Sequence, residues 1–280
     1  MAASAKILTV DNHTRDGEWT VVLPRRGKQR RKFPKLMTPE EQQQQQGQWV
    51  PEDLESDSNR QSKLIEKMKI SMKKVENSQF FRTLLEQIRT PEVLGSFQKV
   101  LGSELKMQMV IYGIGSIESY ETPRIQLSAA ILMKNEFSWI GDIEVFDPIL
   151  SATESCVLEA LGCSVLSVNE HGRRCAAKPT LFYMPHCEAE LYNNLLQANW
   201  DMELLNCIAL FGNSFQVYRY FSEFRNSTIV NSSRYIMSVR EFTCEYKIKT
   251  DSDDYFAAFH DSSWHFFSPD QKTELHLLKN

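Results

Sequence analysis

Five short apolar runs separated by amphipathic stretches occupy the middle of this 280-residue chain and leave it few folds to choose from. The runs are Met107–Tyr112, Ile143–Phe146, Ser164–Val168, Thr180–Met184 and Cys207–Phe211. Short runs with little polar alternation are buried on both faces, and helix-length spacers let successive strands pair in parallel. The spacers carry a helical period over Thr122–Lys134, where Thr122-Pro123 makes a good start, and over Ala152–Leu161, Glu188–Asn199 and Ser214–Phe224.

An α/β class follows: a doubly wound, mostly parallel five-stranded sheet with flanking helices, Rossmann/methyltransferase-like, within residues 103–280. That likeness is one of architecture and assigns no activity. Past the fifth run, Glu241–Ile248 and Ser263–Phe267 flank an acidic turn and predict a C-terminal β-hairpin at the sheet edge.

Residues 62–102 predict helices that pack on this core. Leu64, Ile65, Met68, Met72 and Val75, then Phe80, Leu84, Leu85 and Ile88, recur at helical spacing, with Ser62 as a cap and a break or bend near Asn77. A further helix starts at Thr90-Pro91-Glu92 and ends at Gly102.

Residues 1–61 differ in kind, reading as a disordered tail and linker. Proline residues, five consecutive glutamines at 42–46 and an acidic Ser-rich stretch cannot bury enough apolar surface to offset their ordering entropy. Residues 1–36 hold nine Lys/Arg against three Asp/Glu, or +6, which leaves the remainder at −10. Such an acidic body disfavours a phosphate backbone, so direct nucleic-acid contact would need the tail. Within that tail Arg25, Arg26, Lys28, Arg30, Arg31 and Lys32 form a nuclear-import candidate, or else a solvated charge run. No apolar run approaches the roughly 18 residues that span a bilayer, and the first 30 residues lack a secretory apolar stretch, which predicts no membrane contact and no secretion. Six cysteines without a C-x-x-C pair predict reduced thiols.

Ligands of open α/β sheets bind outside the carboxyl ends of the strands, so the residues ending each run are the candidate site. The first run ends in Gly113 and Gly115, which let a backbone approach a ligand or only serve a tight exit, with Ser116 and Glu118 as polar groups. Asp147 ends the second, where a ribose hydroxyl would be held. Asn169 and His171 follow the third, His186 and Cys187 the fourth, and Asn213 the fifth. Adjacent His186 and Cys187 side chains diverge, which argues against a nucleophile–base pair between them. His171 could serve as the base, oriented by Asn169 or Asn213, but no spacing demands it, and a buried inert thiol is the simpler reading of Cys187. His171, Cys175, His186 and Cys187 match no usual zinc spacing. The sequence therefore assigns no catalytic residues and no metal, and it requires no cofactor. His260, Asp261, Trp264 and His265 read as packing of an edge strand.

Taken together, Val110 to Glu118, Asp147-Pro148, Leu161-Gly162, Asn169 to Gly172, Thr180 to Cys187, Leu191-Tyr192, Asn199-Trp200 and Gly212 to Phe215 resemble the Sensitivity to red light reduced family. The Thr180-Leu181-Phe182-Tyr183-Met184-Pro185-His186-Cys187 block is the most specific piece. The resemblance implies a regulatory protein in phytochrome B red-light signalling and circadian clock input, placed in nucleus and cytoplasm, with signalling or clock proteins as partners. It carries over no catalytic residues. The alternative is an enzyme or sensor that binds a nucleotide-like ligand such as S-adenosylmethionine at the strand ends.

Overall fold

The computed structural model describes residues 48–55, 57–218, 233–250 and 253–269. The predicted tail with its basic run, most of the linker, and residues 219–224 of one predicted helix lie outside the described residues.

Three helices come first: α1 (Ser58–Glu76), α2 (Gln79–Ile88) and α3 (Pro91–Leu101). Asp57 caps α1, accepting the Asn59 N–H at 2.8 Å, whereas Ser62 lies one turn inside and donates to the Ser58 carbonyl at 2.8 Å. The apolar stripe placed the start too late because residues 58–61 lengthen the helix without adding to the stripe. The break falls at Asn77, whose Nδ2 donates to the Lys73 carbonyl at 2.7 Å, and Ser78 caps α2 through the Phe81 N–H at 3.0 Å.

The remaining elements are β1 (Met107–Tyr112), α4 (Glu121–Glu136), β2 (Ile140–Phe146), α5 (Ala152–Ala160), β3 (Cys163–Val165), β4 (Thr180–Met184), α6 (Ala189–Ala198), α7 (Met202–Asn206) and β5 (Ile208–Asn213). After them come α8 (Arg234–Val239), β6 (Thr243–Lys247), α9 (Asp253–Phe259) and β7 (Ser262–Phe267). The sheet order is β3-β2-β1-β4-β5-β7-β6. The first five strands are parallel, and β7 runs antiparallel to both β5 and β6. The doubly wound, mostly parallel fold is the one predicted.

Its details differ in three places. The two late β-segments do pair, but α9 replaces the predicted acidic turn between them, and β7 rather than β6 lies against β5. Tyr255 and Phe259 of α9 stack on Phe80 with centroids at 5.1 and 4.6 Å, a tertiary contact that holds a helix too short to show a period. The third strand spans only Cys163–Val165; beyond it the Leu166 N–H still donates to the Val145 carbonyl at 3.0 Å, and the Ser167 carbonyl accepts the Trp49 N–H at 2.6 Å. Residues 166–179 then cross to β4 without a helix.

Period-two alternation along the strands splits the core between two faces. Met109, Ile111, Leu181, Tyr183, Ala209 and Phe211 are buried in one apolar cluster with residues of α1–α5 and α9. Val110, Tyr112, Phe182, Met184 and Leu210 join the other, with α6 and α8. The two faces meet the reversal of strand order between β1 and β4, which is where a crevice opens in folds of this kind.

A carboxylate-lined cleft at the strand ends

A cleft of about 440 Å³ opens beyond the carboxyl ends of β1, β2 and β4. Tyr112, Gly113, Phe146, Asp147 and Pro148 form one side, and His186, Cys187, Glu188, Glu190, Leu191 and Asn194 the other. Asn169, His171 and Gly172 of the helix-free crossover complete it. Of the nine residues proposed from the sequence, Gly113, Asp147, Asn169, His186 and Cys187 line this cleft, whereas Gly115, Ser116, Glu118 and Asn213 stand behind it.

Two buried carboxylates build the loop after β1. Asp147 accepts the Gly115 N–H at 2.7 Å and the Ile149 N–H at 3.0 Å, one on each oxygen. Glu154 accepts the Ser116 hydroxyl at 2.7 Å and the Glu118 N–H at 3.0 Å on Oε1, and the Ser151 N–H at 2.9 Å on Oε2. The Ser116 hydroxyl also accepts the Ser119 N–H at 3.1 Å. Glu118 points away, held by Arg60 at 3.0 and 2.7 Å, and that guanidinium keeps its carboxyl below the usual range. Glu154 was missed as a site residue, although Ser151-x-x-Glu154 is a capping box legible in the sequence.

The glycines serve close packing. Gly113 has φ of +66°, and a Cβ there would lie 2.7 Å from the Cys187 Sγ. At Gly115, φ +78°, it would meet Pro123 at 3.3 Å. The space each leaves is filled by protein rather than open to a ligand.

Cys187 is buried, and its thiol donates to the Tyr112 carbonyl at 3.2 Å. Burial pushes it far up, and the charges of Asp147 and Glu188 add to the effect. Such a thiol is a poor nucleophile. His186 takes a left-handed backbone, φ 56°, fixed by its N–H to the Asn213 Oδ1 at 2.8 Å, while Asn213 Nδ2 donates to the Cys187 carbonyl at 3.0 Å. Its Nε2 reaches the His260 carbonyl at 3.0 Å, and burial pushes the ring's pKa down, leaving a neutral imidazole near neutral pH. His171, also left-handed at φ 49°, is set by Asn169 Oδ1 on its N–H at 2.9 Å. Cys175 faces a second cavity, of about 460 Å³, with Arg173, Arg174 and Lys178. The crossover thus walls both cavities. Tyr112 ties it to β1 by donating its hydroxyl to Glu170, and Arg174 joins Glu170 to Glu144.

Among the described residues no group of three or more His, Cys, Asp or Glu is placed to hold a metal ion, and no helix is long and apolar enough to cross a membrane.

The chain matches the SRR1 domain family over residues 92–266. It is 59% identical over 272 residues to Protein SENSITIVITY TO RED LIGHT REDUCED 1 of Arabidopsis thaliana, covering 96% of this chain and 98% of that protein. An SRR1-like protein of Mus musculus is 41% identical over 128 residues, 43% of this chain and 49% of the mouse protein. Among solved structures, the 23S rRNA methyltransferase ErmE aligns over 65% of this chain and 69% of its own, at 10% identity and a TM-score of 0.34. The plantazolicin methyltransferase BpumL with SAH aligns over 75% and 98%, at 11% identity and a TM-score of 0.32. Structural similarity at this level carries no argument about chemistry.

Proposed function

The chain belongs to the SRR1 domain family, and from that premise we propose that it is a regulatory protein of red-light signalling whose α/β domain acts as an interaction or sensing module. The observation that carries the reading is 59% identity spread over 98% of the Arabidopsis relative, whose name is that of a red-light response. Phytochrome B as the upstream receptor, input to the circadian clock, signalling or clock partners, and residence in nucleus and cytoplasm are parts of the same proposal. The run Arg25, Arg26, Lys28, Arg30, Arg31 and Lys32 is its import signal.

Expression of this chain in Arabidopsis lacking the relative should restore the red-light response of seedlings. Failure by a chain that accumulates normally would refute the reading. Replacing the six basic residues by alanine should deplete a fluorescent fusion from the nucleus, and an unchanged distribution would remove the import signal.

A second reading, that the domain senses a small molecule, is favoured by the strand-end cleft, whose size suits a nucleoside-sized ligand. Leu191→Trp, which fills the cleft, should abolish any ligand-induced thermal shift seen in the parent. A shift that survives this variant would place the ligand elsewhere.

A further inference from the structure

We propose that the solvent face of α1 is a docking surface for an acidic segment of a partner protein that sets an apolar side chain between its carboxylates, an inference that rests on reading the domain as an interaction module of the red-light response.

α1 concentrates positive charge that the rest of the body lacks. It holds six Lys/Arg against two Glu, or +4, while residues 37–280 as a whole carry −10, which leaves −14 for the body outside this helix. Leu64, Met68, Ser71 and Val75 form its buried stripe. At roughly 100° per residue Ile70 falls outside that stripe, with Lys63, Lys67 and Lys74 within about 60° on one side of it and Lys73 and Lys69 within about 100° on the other. All five lysines are exposed, and Ile70 is 60% exposed.

Helix stability does not account for this pattern. Lys63–Lys67 and Lys69–Lys73 are like-charged pairs one turn apart, an arrangement that weakens a helix, and a merely solvated face would alternate its signs. Among the described residues Lys63, Lys69 and Lys73 make no ion pair, not even with Glu66 and Glu76 of the same helix. Their charge is left for something outside the fold.

The same face has an apolar centre. Lys67 Nζ lies 3.5 Å from the Glu118 carbonyl and Lys74 Nζ 3.2 Å from the Glu121 carboxylate, so the loop between Glu118 and Glu121 runs beside the turn of α1 that carries Ile70. Tyr120 stands in that loop, 65% exposed. Two large apolar side chains bordered by lysines repeat the layout of an interface, apolar at its middle and charged at its rim.

Charge also selects the kind of partner. A lipid headgroup layer or a nucleic-acid backbone is negative throughout, and would press that charge on Glu66, Glu118 and Glu121 and on the acidic remainder of the body. A polypeptide can place carboxylates opposite the lysines and an apolar group opposite Ile70 and Tyr120.

The test has two arms. In Arabidopsis lacking the relative, the parent chain and a control, Lys99→Gln with Lys106→Gln and Lys249→Gln, should restore the red-light response. Lys63→Gln with Lys69→Gln and Lys73→Gln should not, at equal accumulation. All six lysines are exposed, so the unfolding midpoints of both variants should stay close to the parent's. Full restoration by the α1 variant would overturn the docking face and leave the red-light reading intact, whereas failure of the parent would refute that reading and remove this proposal with it. The second arm uses the full chain with its six basic tail residues replaced by alanine, so that the tail binds no probe. Fluorescence anisotropy with a labelled glutamate–tyrosine copolymer should show binding, and labelled polyglutamate should bind at least fivefold more weakly. The α1 lysine variant should weaken both at least fivefold, and Ile70→Ser the copolymer alone. No copolymer binding, or an affinity unchanged by the lysine variant, would overturn the proposal. Binding of phosphatidylserine vesicles or duplex DNA as tight as that of the copolymer, and lost in the lysine variant, would overturn the choice of partner.

Discussion

Acid should weaken this fold through His265. The residue is fully buried on β7, with Nδ1 3.3 Å from the Leu210 carbonyl and its ring stacked on Phe215 at 4.1 Å. Its Nε2 has no hydrogen bond and lies 3.7 Å from Glu245, whose Oε1 already accepts the hydroxyls of Ser214 at 2.5 Å and Ser263 at 2.8 Å. Burial lowers its pKa from 6.5 to about 4, against the opposing pull of Glu245. In the unfolded chain the ring titrates near its ordinary value, so between these limits the unfolded state binds a proton that the folded state does not. The contribution is therefore complete above pH ~6.5 and is lost as the pH falls towards 4. At about 1.36 kcal/mol per unit, the drop from pH 7.5 to pH 5 comes to about 2 kcal/mol. Urea unfolding at both pH values, on the parent and on His265→Gln, isolates this group, because the other titrations cancel in the difference. The variant should lose about 2 kcal/mol less than the parent over that interval. Equal losses in the two proteins would refute the assignment.

Three other outcomes follow from hydrogen bonding and close packing. Tyr192→Phe removes a buried hydroxyl that donates to the Met184 carbonyl and accepts the Asn213 N–H at 3.0 Å, and should cost about 1–3 kcal/mol in urea unfolding. Gly113→Ala forces a Cβ against Cys187 at a left-handed φ; it should destabilise by about 1–3 kcal/mol, and adding Cys187→Ala should recover part of the loss, a coupling that additive values would disprove. In native protein the exposed Cys156, Cys175 and Cys244 should react with a disulfide reagent first, while Cys163, pushed up to about 11 by burial, and Cys187 should stay protected until unfolding. Labelling of Cys187 at the rate of Cys156 would contradict its placement.

The sheet was readable because its signals are local. β1 and β4 have the predicted ends to the residue, since Gly113 and Pro185 mark where the apolar runs stop. β5 runs past its predicted end through Gly212 and Asn213, because these residues pair with Ser263 and Ser262 of β7 despite being turn formers, and α4 extends beyond both of its predicted limits. The short α7 and α8 escaped because five or six residues cannot display a helical period. The candidate site was legible as a set of positions at strand ends, yet not as chemistry. Whether Ser116 or Glu118 is free depends on Glu154 and Arg60, which stand 38 and 58 positions away in the chain. Ile149, two residues on, takes one oxygen of Asp147, but nothing nearby in sequence shows that Gly115, 32 positions earlier, takes the other. Counting a strand-end carboxylate as a ligand contact is safe only after its partners within the fold are known.

The placement of β7 between β5 and β6 has a consequence for synthesis on the ribosome. β5 emerges with one edge unpaired, and β6 follows without closing it, because among the described residues β6 pairs only with β7. At roughly 5–20 residues per second, the fifty or so residues from the end of β5 to the end of β7 leave that edge open for about 3–10 s. During this window Ile208, Leu210 and Phe211 sit on an incomplete sheet, the kind of edge that recruits foreign strands. A nascent chain stalled before residue 262 should therefore be a holdase client, and one that has released residue 267 should not.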